Sequence, residues 1–349
     1  METLEDIVLK SNQYYDAQKE VFTDIIPSEG STETVEEPVI VMDTLHYCFS
    51  HAVMNCCFPI FWIIDDLKKV GELRDAKIRV FIKDRYIVPH PMLHLPIIDE
   101  RNKTYRGVFK DIIELISPFP VIFQHALYSN YFFKKCIFYP DDDKCQRTPW
   151  NCVDYYPEWN IPKEEIRFSD EIIYSKLSLF RNVVLTKFCI KIPDISENCL
   201  MIIDRKYNRK IEPTKLQSLV EEAKTNRGWN FTSVVLLEDK SFQEQVQLFA
   251  KHRIFILRHG SSLINLLWIP NNSIVFELQG GSEGVVSPMV IPRICKLTNS
   301  KHILLKYDDY DCKKDIFDTL YTILYQKVIT SSEQEQSSLE SSLASLQEQ

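Results

Sequence analysis

The clearest hydrophobic periodicity lies in the second half of the chain. LMIID at residues 200–204 is an apolar run of strand length. PTKLQSLVEEAKTNRG follows, with Leu216, Leu219, Val220 and Ala223 recurring at the three- and four-residue spacing of one buried helix face. Thr214 and Gln217 stand at capping-box spacing, and Gly228 is placed to end the helix. SVVLLE then predicts a second strand. SFQEQVQLFAKH predicts a second helix, opened by a capping box of Ser241 and Glu244. IFILR (254–258) and IVFEL (274–278) read as the third and fourth strands, and DIFDTLYTILYQKV after Asp311 as a final helix. Strands and helices alternating at this spacing predict an α/β domain, a doubly wound parallel sheet over about 198–306.

The first half is less regular. An apolar helix is expected over 49–70, and strands at KIRVFI (77–82) and PVIFQ (120–124). Residues 138–162, FYPDDDKCQRTPWNCVDYYPEWNIP, are crowded with turn residues and aromatics and predict no regular element. PSEGSTETVEEP (27–38) is polar, acidic and bounded by prolines, so residues 1–38 read as a flexible arm. The tail 331–349 is low-complexity; Leu339, Leu343 and Leu346 have helical spacing, but disorder is the expectation. Between these ends lie two halves, 39–190 and 191–330.

Length supports this division: 349 residues exceed what one core comfortably holds. Charge refines it. The net −8 is concentrated at the ends, with 11 acidic and 2 basic side chains in residues 1–43 and 4 acidic and no basic ones in 331–349. The middle is left at about +5. A mildly basic body without a dense basic stripe argues against nucleic acid and suits a small anionic ligand. The longest apolar run, CCFPIFWII, has nine residues, far short of the roughly 20 a spanning helix needs. METLEDIVLK lacks the basic start and apolar stretch of an export signal. The expectation is therefore a cytoplasmic chain with reduced thiols, or a secretory one should the true start lie upstream. The ten cysteines show no metal-type spacing.

Ligands of doubly wound sheets bind outside the carboxyl ends of the strands, and three such ends carry chemistry here. After LMIID comes RKYNRK, placing Arg205, Lys206, Arg209 and Lys210 in one loop, either a diphosphate clamp or a solvated basic loop. After IFILR comes HGSS. His259 can donate to a phosphate, Gly260 permits close backbone approach, and Ser261 or Ser262 can cap a helix whose free N–H groups favour an anion. The same four residues also suit a packed histidine at a tight turn. Glu277, inside the apolar run IVFEL, must meet a partner if buried; ribose hydroxyls or an internal group would both serve. GxGxxG, GxxxxGK[ST] and GxSxG are all absent, which removes the commonest dinucleotide, triphosphate and hydrolase signatures.

Taken together, three motifs resemble glycosyltransferase family 61, which includes protein N-acetylglucosaminyltransferases and plant xylosyl- and arabinosyltransferases. They are IIDRKYNRKI, SFQEQV (Phe242, Glu244, Gln245) and HGSSLINLLWIPNNSIVFEL. FSHAVMNCCFPIFWII is similar to the family's upstream helix, aligning His51 and Pro59. The resemblance implies a GT-B-like, two-lobed architecture. Its N-terminal lobe would lie on the acceptor side, and its Rossmann-like C-terminal lobe would bind the nucleotide sugar. It implies inverting, metal-independent transfer of N-acetylglucosamine or a pentose, from a UDP-sugar co-substrate to a protein or glycan hydroxyl. No further cofactor is implied. Arg205 and Arg209 would hold the diphosphate, His259, Gly260, Ser261 and Ser262 would complete the cradle, and Glu277 would hold the ribose. Three positions depart from the family pattern. Ser262 replaces a glycine, and Asn55 stands where the family has an aspartate, with Cys48 in place of an asparagine. An amide cannot take the acceptor's proton, so His51, one turn away, or a carboxylate from residues 138–162 is expected to substitute. A nucleotide-sugar-binding protein without transfer is the alternative. A second, metal-dependent alternative rests on the DxD at Asp141–Asp143, but with a proline and a lysine around it and no apolar strand leading in, a solvated acidic turn is the better reading.

Overall fold

The computed structural model describes residues 33–37, 39–42, 52–69, 79–84, 111–117, 119, 122–125, 131–133, 136–139, 170–192, 198–206, 209–225, 228–280 and 290–325. The anticipated second-half strands are all present, as β7 (Cys199–Asp204), β8 (Asn230–Leu236), β9 (Ile254–Arg258) and β10 (Ile274–Gln279). A fifth strand, β11 (Lys301–Lys306), joins them. All neighbours run parallel in the order β11-β10-β9-β7-β8. Numbered within this domain the order is 5-4-3-1-2, a doubly wound pattern whose direction of winding reverses between β7 and β9.

Side-chain alternation divides the core between the two sheet faces. Met201, Ile203, Phe255, Leu257 and Val275 point to one buried cluster, and Leu200, Ile202, Ile254, Ile256 and Phe276 to the other. The second cluster is closed by Leu219 and Ala223 of α3 (Pro213–Ala223), Trp229, and Ile316, Phe317 and Leu320 of the last helical segment. That segment begins as a π-helical turn, Cys312–Asp318, and continues helically through residue 325. The first cluster receives α4 (Phe242–Lys251), the 3-10 helix Ser261–Trp268 and α5 (Val290–Leu297).

The first half holds a second all-parallel sheet. β2 (Val39–Met42), β3 (Arg79–Asp84), β4 (Ile122–His125) and β6 (Cys136–Tyr139) lie in the order β4-β3-β2-β6. The helix expected over 49–70 is a π-helical turn, Ala52–Cys57, running into α1 (Phe58–Lys69). α2 (Asp170–Lys187) crosses from this half to the other. Phe180 of α2 packs between Phe58 of α1, at 5.7 Å, and Trp268 of the 3-10 helix, at 6.0 Å between ring centroids. Trp268 in turn meets Phe242 of α4 edge-on at 6.0 Å. One hydrophobic cluster therefore runs from Ile40 in the first sheet to Ile294 in α5. Arg181 strengthens the same seam, donating Nε to the Leu267 carbonyl and Nη2 to the Ile269 carbonyl, both at 2.7 Å. These carbonyls close the 3-10 helix, where a cation meets the negative end of the backbone dipoles.

Several expectations need correction. Within the supposed flexible arm, Glu33–Val35 forms β1, paired in parallel with β5 (Tyr131–Phe133). The capping box at Thr214 does not form. Pro213 takes the first helical position, where its missing N–H costs nothing, so Glu212 becomes the N-cap without a side-chain cap. Thr214 instead donates to Glu212 and Gln217 to Glu221. α3 ends at Ala223, and Gly228 (φ 96°) turns the chain into β8. The Ser241–Glu244 box forms as expected, with both reciprocal bonds present. The DxD residues and the 331–349 tail lie outside the described residues. Among those described, no helix is long and apolar enough to cross a membrane.

Candidate functional site

The switch between β7 and β9 is where two strand ends open a crevice, and the predicted basic loop and HGSS meet there. Asp204 ends β7, and its Oδ1 accepts the Ile211 N–H at 2.8 Å, closing the loop 205–210 on itself. The Lys206 N–H donates to Glu238 Oε1 at 3.2 Å, tying the loop to the end of β8. Arg209, at φ 60°, turns its guanidinium toward β9, with Nη1 3.5 Å from the His259 carbonyl.

The guanidinium of Arg205 lies across Gly260. A Cβ at Gly260 would stand 2.5 Å from Arg205 Nη1 and 3.1 Å from its Cζ. The glycine leaves room for this close approach, and what approaches is the arginine of the neighbouring strand end. Arg258, the last residue of β9, was not singled out from the sequence, but it braces the crevice floor. It donates to the Lys210 carbonyl at 3.0 Å and the Gly280 carbonyl at 2.7 Å, and it stacks 3.7 Å from the Tyr307 ring centroid.

HGSS differs from its expected form in one respect. Ser261 begins a 3-10 helix whose N-cap is Gly260, and neither serine supplies a side-chain cap. The extended backbone at Gly260 takes the capping position, so the serines fall inside the helix. Ser262 tolerates its place because Gly260 alone in this loop has positive φ. Its hydroxyl is buried without a hydrogen-bond partner.

Glu277 is wholly buried, with 0% exposure. Its Oε1 lies 2.5 Å from His259 Nδ1 and its Oε2 2.8 Å from His302 Nε2. Both oxygens are thus taken by imidazoles and neither faces solvent, so the internal partner is the one this structure shows. Burial by itself raises this carboxyl's pKa, but the hydrogen bonds from His259 and His302 outweigh it and hold the group below the usual glutamate range. Sequence reasoning missed His302. It sits in β11 opposite Val275, two positions before the residue paired with Glu277, a proximity set by strand register alone.

The SFQEQV motif supports this site from outside. Glu244 caps α4, Phe242 packs on Trp268, and the buried Gln245 donates to the Leu237 and Lys240 carbonyls while accepting from Asn265 at 2.9 Å. The motif therefore anchors the 3-10 helix that follows Gly260. Of the two upstream residues, His51 lies outside the described residues, and Asn55 falls in the π-helical turn before α1.

No curated protein matches the chain. The family model Glycosyltransferase 61 matches residues 49–276, a span that ends within β10. That match covers well over half of the sequence, including Arg205, Arg209 and the HGSS loop. The protein belongs to glycosyltransferase family 61 and is a glycosyltransferase.

Proposed function

We propose that the protein transfers a sugar, N-acetylglucosamine or a pentose, from a UDP-sugar to a hydroxyl of a protein or glycan, with inversion and without a catalytic metal. The observation that carries this reading is Arg205 lying over Gly260 at the switch point, with Arg209 turned to the same strand end. Two guanidiniums at converging strand ends can meet a diphosphate bidentately. Backbone N–H groups at Ser261 and Ser262 add donors beside them. The leaving nucleotide diphosphate is then stabilised by fixed cations and dipoles, the part a metal plays elsewhere. A two-lobed, GT-B-like arrangement agrees with the pair of all-parallel sheets, and the acceptor would enter on the side of α1.

Transfer also requires a base for the acceptor hydroxyl, and Asn55 cannot serve. That residue favours a second reading, donor binding without transfer, unless His51 takes the proton. A panel of nucleotide sugars, followed by thermal shift and by donor hydrolysis with and without chelator, separates the readings. Stabilisation by UDP-sugars together with chelator-resistant turnover is expected. Stabilisation without turnover supports the binding protein, and an absence of response to any nucleotide overturns both.

A further inference from the structure

Glu277 joins two histidines that no motif connects, and the chemistry of that bridge constrains the cradle above it. An ionised carboxylate only accepts hydrogen bonds. The ring atoms that face it, His259 Nδ1 and His302 Nε2, must therefore each carry hydrogen. For His259 this fixes the tautomer. With Nδ1–H committed to Glu277, a neutral ring has only a lone pair at Nε2, and the imidazolium alone has a second N–H. A lone pair repels a phosphate oxygen, whereas N–H binds one. His259 keeps 19% of its side chain exposed beside the strand-end cations, while Glu277 has none.

We propose that Glu277 and His302 are positioning residues that commit His259 Nδ1–H to the bridge, so that on donor binding the ring takes a proton at Nε2 and that N–H meets the donor's diphosphate. The inference rests on the switch point being the donor site. During transfer the electron pair of the broken sugar–oxygen bond stays on the terminal phosphate oxygen, which this N–H and the arginines stabilise. The acceptor oxygen bonds to the anomeric carbon and loses its proton to a separate base, and His259 keeps its own.

The surrounding charges make the arrangement conditional. Arg209 reaches the His259 carbonyl, Arg205 lies over the next residue, and Arg258 precedes it, although that guanidinium is turned to Gly280 and Tyr307. These cations oppose a further positive charge. Glu277 on β10 favours it by direct contact, and His302 on β11 holds the carboxylate's other oxygen. From α5, Cys295 contributes no competing anion, since burial, and after it the field of Glu277, push its thiol up to about 12. A bound diphosphate adds negative charge and shifts the balance toward the imidazolium. Nucleotide binding should therefore take up a proton.

Calorimetry of the full chain with UDP tests this. The titration is run at about pH 8 in two buffers of different ionisation enthalpy, then across about pH 6 to 9, the span of imidazole titration. The expected result is proton uptake approaching one, with affinity falling about tenfold to a hundredfold as pH rises, the worth of a charge-assisted hydrogen bond. Ionisation of UDP itself, near pH 6, acts in the opposite direction. Uptake should vanish in His259→Gln and be reduced or lost in Glu277→Gln. UDP binding by the parent without proton uptake and with affinity flat in pH overturns the proposal, as does a Glu277→Gln profile identical to the parent's. If Glu277→Gln fails to fold, the parent's measurement and a reduced uptake in His302→Gln decide. Should UDP not bind the parent at any pH, the donor reading itself falls and this inference with it.

Discussion

Two carboxylates in the molecule are each held between two bases, and they do different work. Asp65 of α1 pairs with Lys176 of α2 at 2.6 Å and with Lys69 one turn away at 2.9 Å. Glu277 pairs with His259 and His302 at similar distances. The Asp65 side chain keeps 24% of its surface and its Lys69 partner 50%, whereas Glu277 keeps none. Lysines hold their charge across the physiological range, so the Asp65 node is a fixed clip between two helices. Imidazoles change charge near neutrality, and one of the pair borders the cradle. A carboxylate between permanent cations supports packing, whereas one between imidazoles can also set the charge of a site. Disrupting either should show which is which.

The largest effect is expected at the cradle itself. Arg205→Ala removes the guanidinium that spans the switch point, and transfer should fall about a hundredfold to a thousandfold, the usual loss for a preorganised transition-state donor. Thermal unfolding should move little, because the side chain spans a surface crevice. Asp65→Ala should leave transfer far less affected. Initial-rate assays on the two variants decide, and equal losses would erase the distinction between the nodes.

Stability gives the next largest contrast. Glu277→Ala strands two imidazole N–H groups in a buried setting and should cost about 2–4 kcal/mol by urea unfolding. Asp65→Ala breaks a part-exposed pair and should cost about 1 kcal/mol or less. A larger loss at Asp65 would mean that the helical seam outweighs the sheet.

Acid should affect both nodes in the same direction. Burial would raise either carboxyl, but bonds from Lys176 and Lys69 lower Asp65, and those from the histidines lower Glu277. A folded-state pKa below the unfolded one adds stability that is present above the unfolded value of about 4. It is lost as pH falls through the lowered folded value. Urea midpoints should therefore hold above about pH 5 and drop below about pH 4, less steeply in Glu277→Gln than in the parent.

The same contrast explains what the sequence made legible. β7, β9 and β10 are buried on both faces and read as apolar runs, so the doubly wound core and its loaded strand ends were visible. β11 is a half-exposed edge strand with lysine at both ends, and α5 is a short helix with Pro292 inside it, so neither gives a strong pattern. His302 became a site residue only through pairing with β10, which no local periodicity encodes. The Glu33–Val35 strand was hidden by acidic, proline-bounded surroundings and is formed by pairing with a segment almost a hundred residues on. Arg205 and Gly260 were both singled out, but their contact depends on β7 lying beside β9.

Gly260→Ala measures that contact directly. The new methyl would occupy the space of Arg205 Nη1, and a flexible side chain can withdraw at little cost. Donor affinity should weaken about tenfold, as expected for one displaced charge-assisted contact, and the unfolding midpoint should fall as well, because the backbone at φ 157° strains any residue with a Cβ. Retained affinity would place the functional guanidinium elsewhere, with Arg209 the next to examine.

The smallest expected effect concerns the SFQEQV motif, which the family resemblance set beside the donor loops. Its side chains are engaged in architecture: the Ser241 hydroxyl receives the Glu244 N–H, and Glu244 Oε2 takes the Ser241 N–H at 2.7 Å. The hydrogen bonds to Ser241 also hold the Glu244 carboxyl below its usual range. Ser241→Ala should cost about 1 kcal/mol, the worth of an N-cap, and lower the thermal midpoint by a few degrees. Michaelis parameters should stay close to the parent's, because α4 reaches the cradle through the 3-10 helix, by the Gln245–Asn265 bond and the Phe242–Trp268 contact. A large rise in KM would show that the anchoring is tighter than a hydrogen-bonded relay allows. The capped end of α4 would then join the histidine bridge as part of the site, no longer the scaffold that the Asp65 clip exemplifies.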